Sequence, residues 1–355
     1  MQHTRIDKTL IFCLFCLLAL GIVFVYSSSY YRAMTRGEDS TYYMLGHMKR
    51  LLIASVFFFL GFIIPYRVIK TLIFPLLIIT VIILILTLLI GRFQFGARRS
   101  VVISSFGLQV SEFVRIWLVF FLANLFSSHP KTANSGKGIL VAITICLFLI
   151  MLVAIQPSIS IALICLITLI IMLIYGGAKF KLFIPTIVAS CAIIVIVVLL
   201  FPHAQSRITG FITHPTYQVQ QSLIAIGSGG ILGKGPGAGL QKFLFLPRIY
   251  NDFIFSHIAE EFGFIGGLIV FLFFWQIYLR GLSISASVDD EFSKLLVLGL
   301  NASIFVIFLT HVGVSIGLLP PTGIPLPFIS FGGWSLSANL FAMGVILRVS
   351  RWRMT

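Results

Sequence analysis

Apolar residues run through this chain in long blocks, separated by short polar breaks. Segments 72–90 and 182–201 are almost continuously apolar, with no alternation of period two. A bilayer-crossing helix needs about 20 mostly apolar residues. An outer-membrane barrel instead alternates apolar and polar residues in segments of about ten. The pattern therefore predicts an all-α, polytopic membrane protein. Ten spans are expected, at roughly 9–29, 51–66, 71–91, 111–127, 138–155, 159–176, 182–201, 258–279, 293–315 and 331–348. They form a single transmembrane domain over 1–355, with one long external loop at about 202–256 between spans seven and eight. No small-residue cleavage site follows the first block, which reads as a retained helix.

An even number of spans puts both termini on one side, and the basic residues say which. The terminal side holds 13 Lys and Arg: Arg5, Lys8, Arg67, Lys70, Lys131, Lys137, Lys179, Lys181, Arg280, Lys294, Arg348, Arg351 and Arg353. The opposite side holds 11, four of them in the long loop, and Arg115 lies inside a span. Long loops count little in this rule, so both termini are expected in the cytoplasm.

Composition narrows the class further. The chain is 59% apolar and 10% charged, with mean hydropathy +1.10. A soluble domain carries about 25% charged residues, so an ordinary globular protein is excluded. Anionic lipid accounts for the cytoplasmic part of the +15 net charge. Nucleic acid is not expected as a partner, because no water-soluble basic stripe carries interleaved aromatics. The external cations are less ordinary: Arg32, Arg36, Lys49, Arg50, Arg92, Arg98, Arg99, Arg207, Lys234, Lys242 and Arg248. They suggest an anionic ligand on that face. All five cysteines fall in apolar runs without metal-ligand spacing and read as small packing residues.

The long loop carries seven glycines between Gly227 and Gly239. No strand precedes them and no Gly-Lys-Ser/Thr follows, so neither nucleotide fingerprint is present. A flexible linker is the plain alternative. Against it, 240–247 (LQKFLFLP) is apolar enough for a membrane-surface segment.

Carboxylates are few enough to exhaust. Asp7, Glu38, Asp39 and Asp289 to Glu291 read as surface groups, which leaves Glu112, Asp252, Glu260 and Glu261. Asp252 closes the long loop beside apolar Phe253, amid Lys234, Lys242 and Arg248. There it could act as a base beside an anion site or merely cap a helix. Glu112 and Arg115 are spaced i, i+3 on one helix face within the membrane. Buried charges of this kind mark either function or a structural ion pair. His257 and His311 stand apart from any metal-ligand cluster and read as core residues.

These residues carry a resemblance. The segments 217–230 (YQVQQSLIAIGSGG), Gln241-Lys242, Leu246-Pro247, Asp252 to Phe255 and Ala259-Glu260-Glu261 resemble the signature loop of the SEDS family. The segment 317–333 (GLLPPTGIPLPFISFGG) resembles that family's second signature, and Gly96 to Arg99 with Gln109, Ser111 and Glu112 its third. The motifs follow the family's order from residue 96 to residue 333. SEDS proteins are membrane peptidoglycan glycosyltransferases of shape, elongation, division and sporulation. The wording of several segments is closest to the division (FtsW-like) branch, while 322–327 is closer to the elongation (RodA-like) branch.

The resemblance implies polymerisation of lipid II at the outer face of the bacterial cytoplasmic membrane, with Asp252 as the catalytic base. It implies substrate contacts from Arg98, Arg99, Gln109, Glu112, Arg115, Lys242, Glu261, Ser330, Gly332 and Gly333. No dedicated cofactor is implied, and Mg²⁺ is the one divalent cation to consider for charge screening. A class B penicillin-binding protein would supply crosslinking, alongside other divisome or elongasome membrane proteins. The chemistry suits the composition. The lipid pyrophosphate leaves readily once screened, so one base and several cations suffice, unlike glycoside hydrolysis. Departures from the family pattern are Ser158 for Asp, Arg115 for Lys, Ser100 for Trp, Val110 for Pro, His311 for Asn, and Phe331-Gly332-Gly333-Trp334 for Tyr-Gly-Gly-Ser. With Ser158 in place of Asp, Glu112 is expected to pair with Arg115. A lipid II flippase and a non-catalytic division scaffold are the alternative functions.

Overall fold

The computed structural model describes residues 6–90, 92–94, 97–103, 106–128, 136–156, 158–201, 205, 209–211 and 216–351. At 66, 67, 90, 92–108, 136 and 137 the description extends to no side chains. The first half comprises α1 (Lys8–Met34), α2 (Tyr42–Ile63), α3 (Tyr66–Ile90), β1 (Arg92–Gln94), β2 (Ala97–Ile103), β3 (Phe106–Leu108), α4 (Ser111–Ser128) and α5 (Gly136–Ile155). Next come α6 (Ile159–Tyr175), α7 (Phe183–Leu200), α8 (Tyr217–Gly229), the single turn α9 (Ile249–Asp252), α10 (Ile254–Ala286), α11 (Glu291–Ser315) and α12 (Gly333–Ser350).

Eight helical segments among the described residues are long and apolar enough to cross a bilayer. Helix α6, with 17 residues, is shorter, and α12 carries Ser335, Ser337 and Asn339 along an almost wholly buried helix. With these two, each of the ten predicted spans finds its helix. This is a multi-pass membrane fold. Two differences stand out. Helix α2 starts at Tyr42 rather than near 51, so the polar residues His47, Lys49 and Arg50 are helical. Between α3 and α4 the chain forms a three-stranded antiparallel sheet in the order β1-β2-β3, which no apolar block announces.

Helices α4 and α11 form the centre, each about two-thirds buried along its span. Without a hydrophobic drive between helices in lipid, small residues and polar contacts set the packing. Gly61 of α2 meets the carbonyl of Phe341, and Gly344 of α12 meets that of Phe58, so these two helices run in backbone contact. Arg348 then donates to the Phe62 and Ile63 carbonyls at the end of α2, at 2.8 and 2.6 Å. Those are orphan acceptors at a helix C-terminus. The start of α1 and the end of α12 lie together. Asp7 caps α1 through Leu10 N at 3.0 Å and accepts from Arg280 Nη2 at 2.6 Å, while its own N–H reaches Ser350 Oγ at 3.5 Å.

Candidate active site

Helix α10 is broken at Gly263, whose φ of 64° and ψ of −162° lie outside helical space. A side chain there would strike the Ile231 carbonyl, and that backbone conformation favours glycine. Breaking the helix releases backbone groups that cannot stay unpaired at membrane depth. The glycine-rich loop takes them up. Lys234 and Gly235 donate their N–H groups to the Glu260 and Glu261 carbonyls, both at 3.0 Å. Phe264 and Ile265 donate to the Gly230 and Ile231 carbonyls at 2.8 and 3.2 Å.

Side chains complete the strap. Glu260, fully buried, accepts from Lys234 Nζ at 2.9 Å, Leu240 N at 2.8 Å and Gln241 N at 3.2 Å. Glu261 accepts from Ser27 Oγ at 2.8 Å and pairs with the buried Lys242 Nζ at 2.9 Å, with His257 Nε2 at 3.4 Å. Lys242 also donates to the Gly237 carbonyl and lies 5.2 Å from the Tyr30 ring centre. The glycine-rich loop is thus a docked element rather than a linker. Its exposed side chains Leu240, Leu244 and Phe245 keep the apolar surface expected of 240–247.

After the strap the chain turns through α9. Arg248 precedes it in left-handed conformation, and Asp252 N donates to the Arg248 carbonyl at 3.1 Å. Two bonds seat this turn on the second signature: Ser330 Oγ donates to the Asn251 carbonyl at 2.7 Å, and Phe331 N to the Tyr250 carbonyl at 3.1 Å. Asp252, half-buried, faces Gly323 of the same signature. A Cβ on Gly323 would stand 3.8 Å from Asp252 Oδ2.

Beside this contact lies a cavity of about 210 Å³. Gln109 and Glu112 line it from the start of α4, Ser158 and Ser160 from the start of α6, and Asn251 from α9. Residues 322–325 and 331–335 close it. Ser335 bonds the Glu112 carboxylate within it. One cation stands at its edge, and two more flank the neighbouring tyrosines. Arg50 stacks on the Phe331 ring with Cζ 3.9 Å from the centroid, beside Gly333. Arg32 lies 5.7 Å from the Tyr250 ring, and Arg36 donates to Tyr43 Oη at 2.9 Å. Burial pushes the Tyr250 phenol above its ordinary pKa, while Arg32 and Arg36 pull it back.

Polar, half-open and with Arg50 at its rim, the cavity can hold an anionic, hydroxyl-bearing ligand near two carboxylates, Glu112 in its lining and Asp252 beside it. Sequence comparison narrows this. The profile of the cell cycle protein family that groups FtsW, RodA and SpoVE matches residues 7–355. The chain belongs to this family. Among curated relatives, stage V sporulation protein E of Bacillus subtilis is 32% identical, over 99% of this chain and 98% of its own. A probable peptidoglycan glycosyltransferase FtsW of Trichlorobacter lovleyi is 31% identical, over 97% and 93%. In fold the chain is similar to a solved peptidoglycan synthase complex described as coordinating polymerization and crosslinking, with TM-score 0.80 at 23% identity over 98% of both chains. It is likewise similar to the rod shape determining protein RodA of Thermus thermophilus, with TM-score 0.74 at 23% identity over 99% and 98%.

Within this FtsW/RodA/SpoVE fold, Gln109, Glu112, Gly332 and Gly333 meet at the cavity, and Asp252 stands beside it. Ser330 is buried behind it and holds α9. Three of the predicted contacts lie elsewhere. Lys242 and Glu261 satisfy each other inside the strap. Arg115 is fully buried and donates to Ser303 Oγ at 3.0 Å and Asn339 Oδ1 at 2.6 Å. The expected Glu112–Arg115 salt bridge is not formed, because the guanidinium turns to α11 and α12 while Glu112 turns to Ser335. Arg98 and Arg99 stand on β2, and their side chains lie outside the described residues. Among the described residues no three His, Cys, Asp or Glu side chains converge to hold a metal ion. Asn251 and Ser160 line the cavity without having stood out in the sequence. Asn251 adjoins Asp252, and that adjacency was the one available signal.

Proposed function

We propose that this chain is a peptidoglycan glycosyltransferase that polymerises lipid II at the outer face of the bacterial cytoplasmic membrane, with both termini in the cytoplasm. The observation that carries the reading is convergence. Segments around 109–112, 251–252 and 322–335, distant in sequence, meet at one cavity with a carboxylate at its edge. Asp252 accepts the proton of the acceptor sugar hydroxyl as that oxygen attacks the anomeric carbon of the donor. The bond from that carbon to the lipid pyrophosphate breaks, and the electron pair leaves on the pyrophosphate. Arg50, with Arg32 and Arg36, screens the departing charge; guanidinium groups suit phosphate oxygens. Among the described residues no three His, Cys, Asp or Glu side chains form a ligand set for Mg²⁺.

Glycan strands become a wall only when they are crosslinked, and a membrane-anchored class B penicillin-binding protein is the proposed partner for that step. The similar synthase complex, in which polymerization is coordinated with crosslinking, supports that pairing. The test of the reading is product length. Reconstituted in vesicles with labelled lipid II, the full chain should yield long glycan strands on a gel. Movement of lipid II across the bilayer with no polymer would instead identify a flippase.

A further inference from the structure

The loop that faces Asp252 is poor in its own hydrogen-bond donors. Pro320, Pro321, Pro325 and Pro327 lack an N–H, and no regular structure forms over 320–326. Carbonyls in such a loop must be satisfied from outside. Two helices do this on either side of Gly323. Ser160 Oγ of α6 donates to the Thr322 carbonyl at 2.7 Å. His311 Nδ1 of α11 lies 2.8 Å from the Ile324 carbonyl. A carbonyl only accepts, so Nδ1 carries the hydrogen and the ring tautomer is set. His311 is 1% exposed and Ser160 9%. Farther along, Ser330 Oγ accepts from Leu326 N at 2.8 Å and donates to the Asn251 carbonyl. The loop and the turn bearing Asp252 therefore share one anchor, and Gly323 between the two outer donors faces the carboxylate, which a Cβ there would meet at 3.8 Å.

We propose that Ser160 and His311 are positioning residues for the transfer reaction: they bracket Gly323 and so hold the loop surface that sets the place of the Asp252 carboxylate. This rests on the reading of Asp252 as the base. His311 is not among the residues lining the cavity, and Ser160, which lines it, spends its hydroxyl hydrogen on the Thr322 carbonyl. Their effect is on alignment, and a misplacement of about 1 Å near reacting atoms can cost about 10²-fold in rate.

The full chain in lipid vesicles tests this with His311→Leu, His311→Asn and Ser160→Ala. Turnover at saturating lipid II, apparent KM and Tm are measured for each. His311→Leu removes the donor and should lower turnover about 10- to 100-fold with KM changed less than about twofold. His311→Asn retains a donor and should recover most of that loss, and Ser160→Ala should lose about tenfold in turnover. Asn301→Ala is the control. It removes a comparable bond to the Tyr278 carbonyl, 2.8 Å, lower on α11, and should keep parental turnover whatever its Tm. Ser160→Ala decides the matter where His311→Leu does not fold. The bracket is overturned if these variants keep more than about half the parental turnover, or if Asn and Leu at 311 lose equally. An active parent with unaffected variants removes the bracket alone. An inactive parent removes the glycosyltransferase reading together with it.

Discussion

Gly323 faces the carboxylate of Asp252: a methyl group on its Cα would stand in ordinary contact, 3.8 Å from Oδ2 and 4.0 Å from Cγ. Its φ is +67°, in the left-handed region. Alanine there should add about 1–2 kcal/mol of backbone strain, and relief of that strain should shift the loop that faces the carboxylate. Gly323→Ala should therefore lower polymerisation far more than lipid II binding. Equal losses in the two assays would show that the contact shapes the binding surface instead.

Lys242 and Glu261 form an internal ion pair at 2.9 Å with almost no exposure. Removing one partner of a buried pair costs about 3–5 kcal/mol, whereas replacing both by apolar groups can be neutral. Lys242→Met should lower Tm sharply, and adding Glu261→Leu should restore part of the loss. Apparent KM for lipid II should stay near the parental value in any folded variant. A large rise in KM with parental Tm would instead make Lys242 a substrate contact.

Glu260 ties the loop to the broken helix through Lys234 and two backbone amides. Glu260→Gln keeps the shape but removes the charge, and charge-assisted bonds are roughly twice as strong as neutral ones. Amide hydrogen exchange at 234–241 should speed up in this variant while that of α11 stays slow. Unchanged exchange would mean that the backbone bonds alone hold the strap.

Arg115 should couple to Asn339 rather than to Glu112. Their bond of 2.6 Å joins α4 to α12. A double-mutant cycle on thermal stability should give a coupling of about 0.5–3 kcal/mol for Arg115→Met with Asn339→Ala, and less for Arg115→Met with Glu112→Gln. The reverse ranking would restore the i, i+3 ion pair expected from spacing.

Much of the fold was legible because the lipid solvent leaves a plain mark: each of the ten apolar blocks became a helix. The sheet at 92–108 was not, since its strands are short and lie in a polar break. Asp252, Glu112, Gln109 and the Gly332-Gly333 pair were found through motifs that do meet in space. That Lys242 and Glu261 pair with each other was not legible, for a physical reason. Sequence shows that a cation is external, but not that a carboxylate nineteen positions on folds back to neutralise it. Arg115 went the same way, as its partners lie 188 and 224 residues away. Arg50 at the cavity edge, and Arg32 and Arg36 by the neighbouring tyrosines, stood in the external set without anything in the sequence to single them out.

If Asp252 takes the acceptor's proton, its loss must slow the chemical step and little else. The most direct test is single-turnover polymerisation of labelled lipid II by Asp252→Asn, with lipid II binding measured on the same vesicles. Loss of a positioned base typically costs about 10²–10⁴-fold in rate. A loss of that size is expected, with binding and Tm close to parental. Polymerisation at even a third of the parental rate would contradict the role of Asp252 as the base.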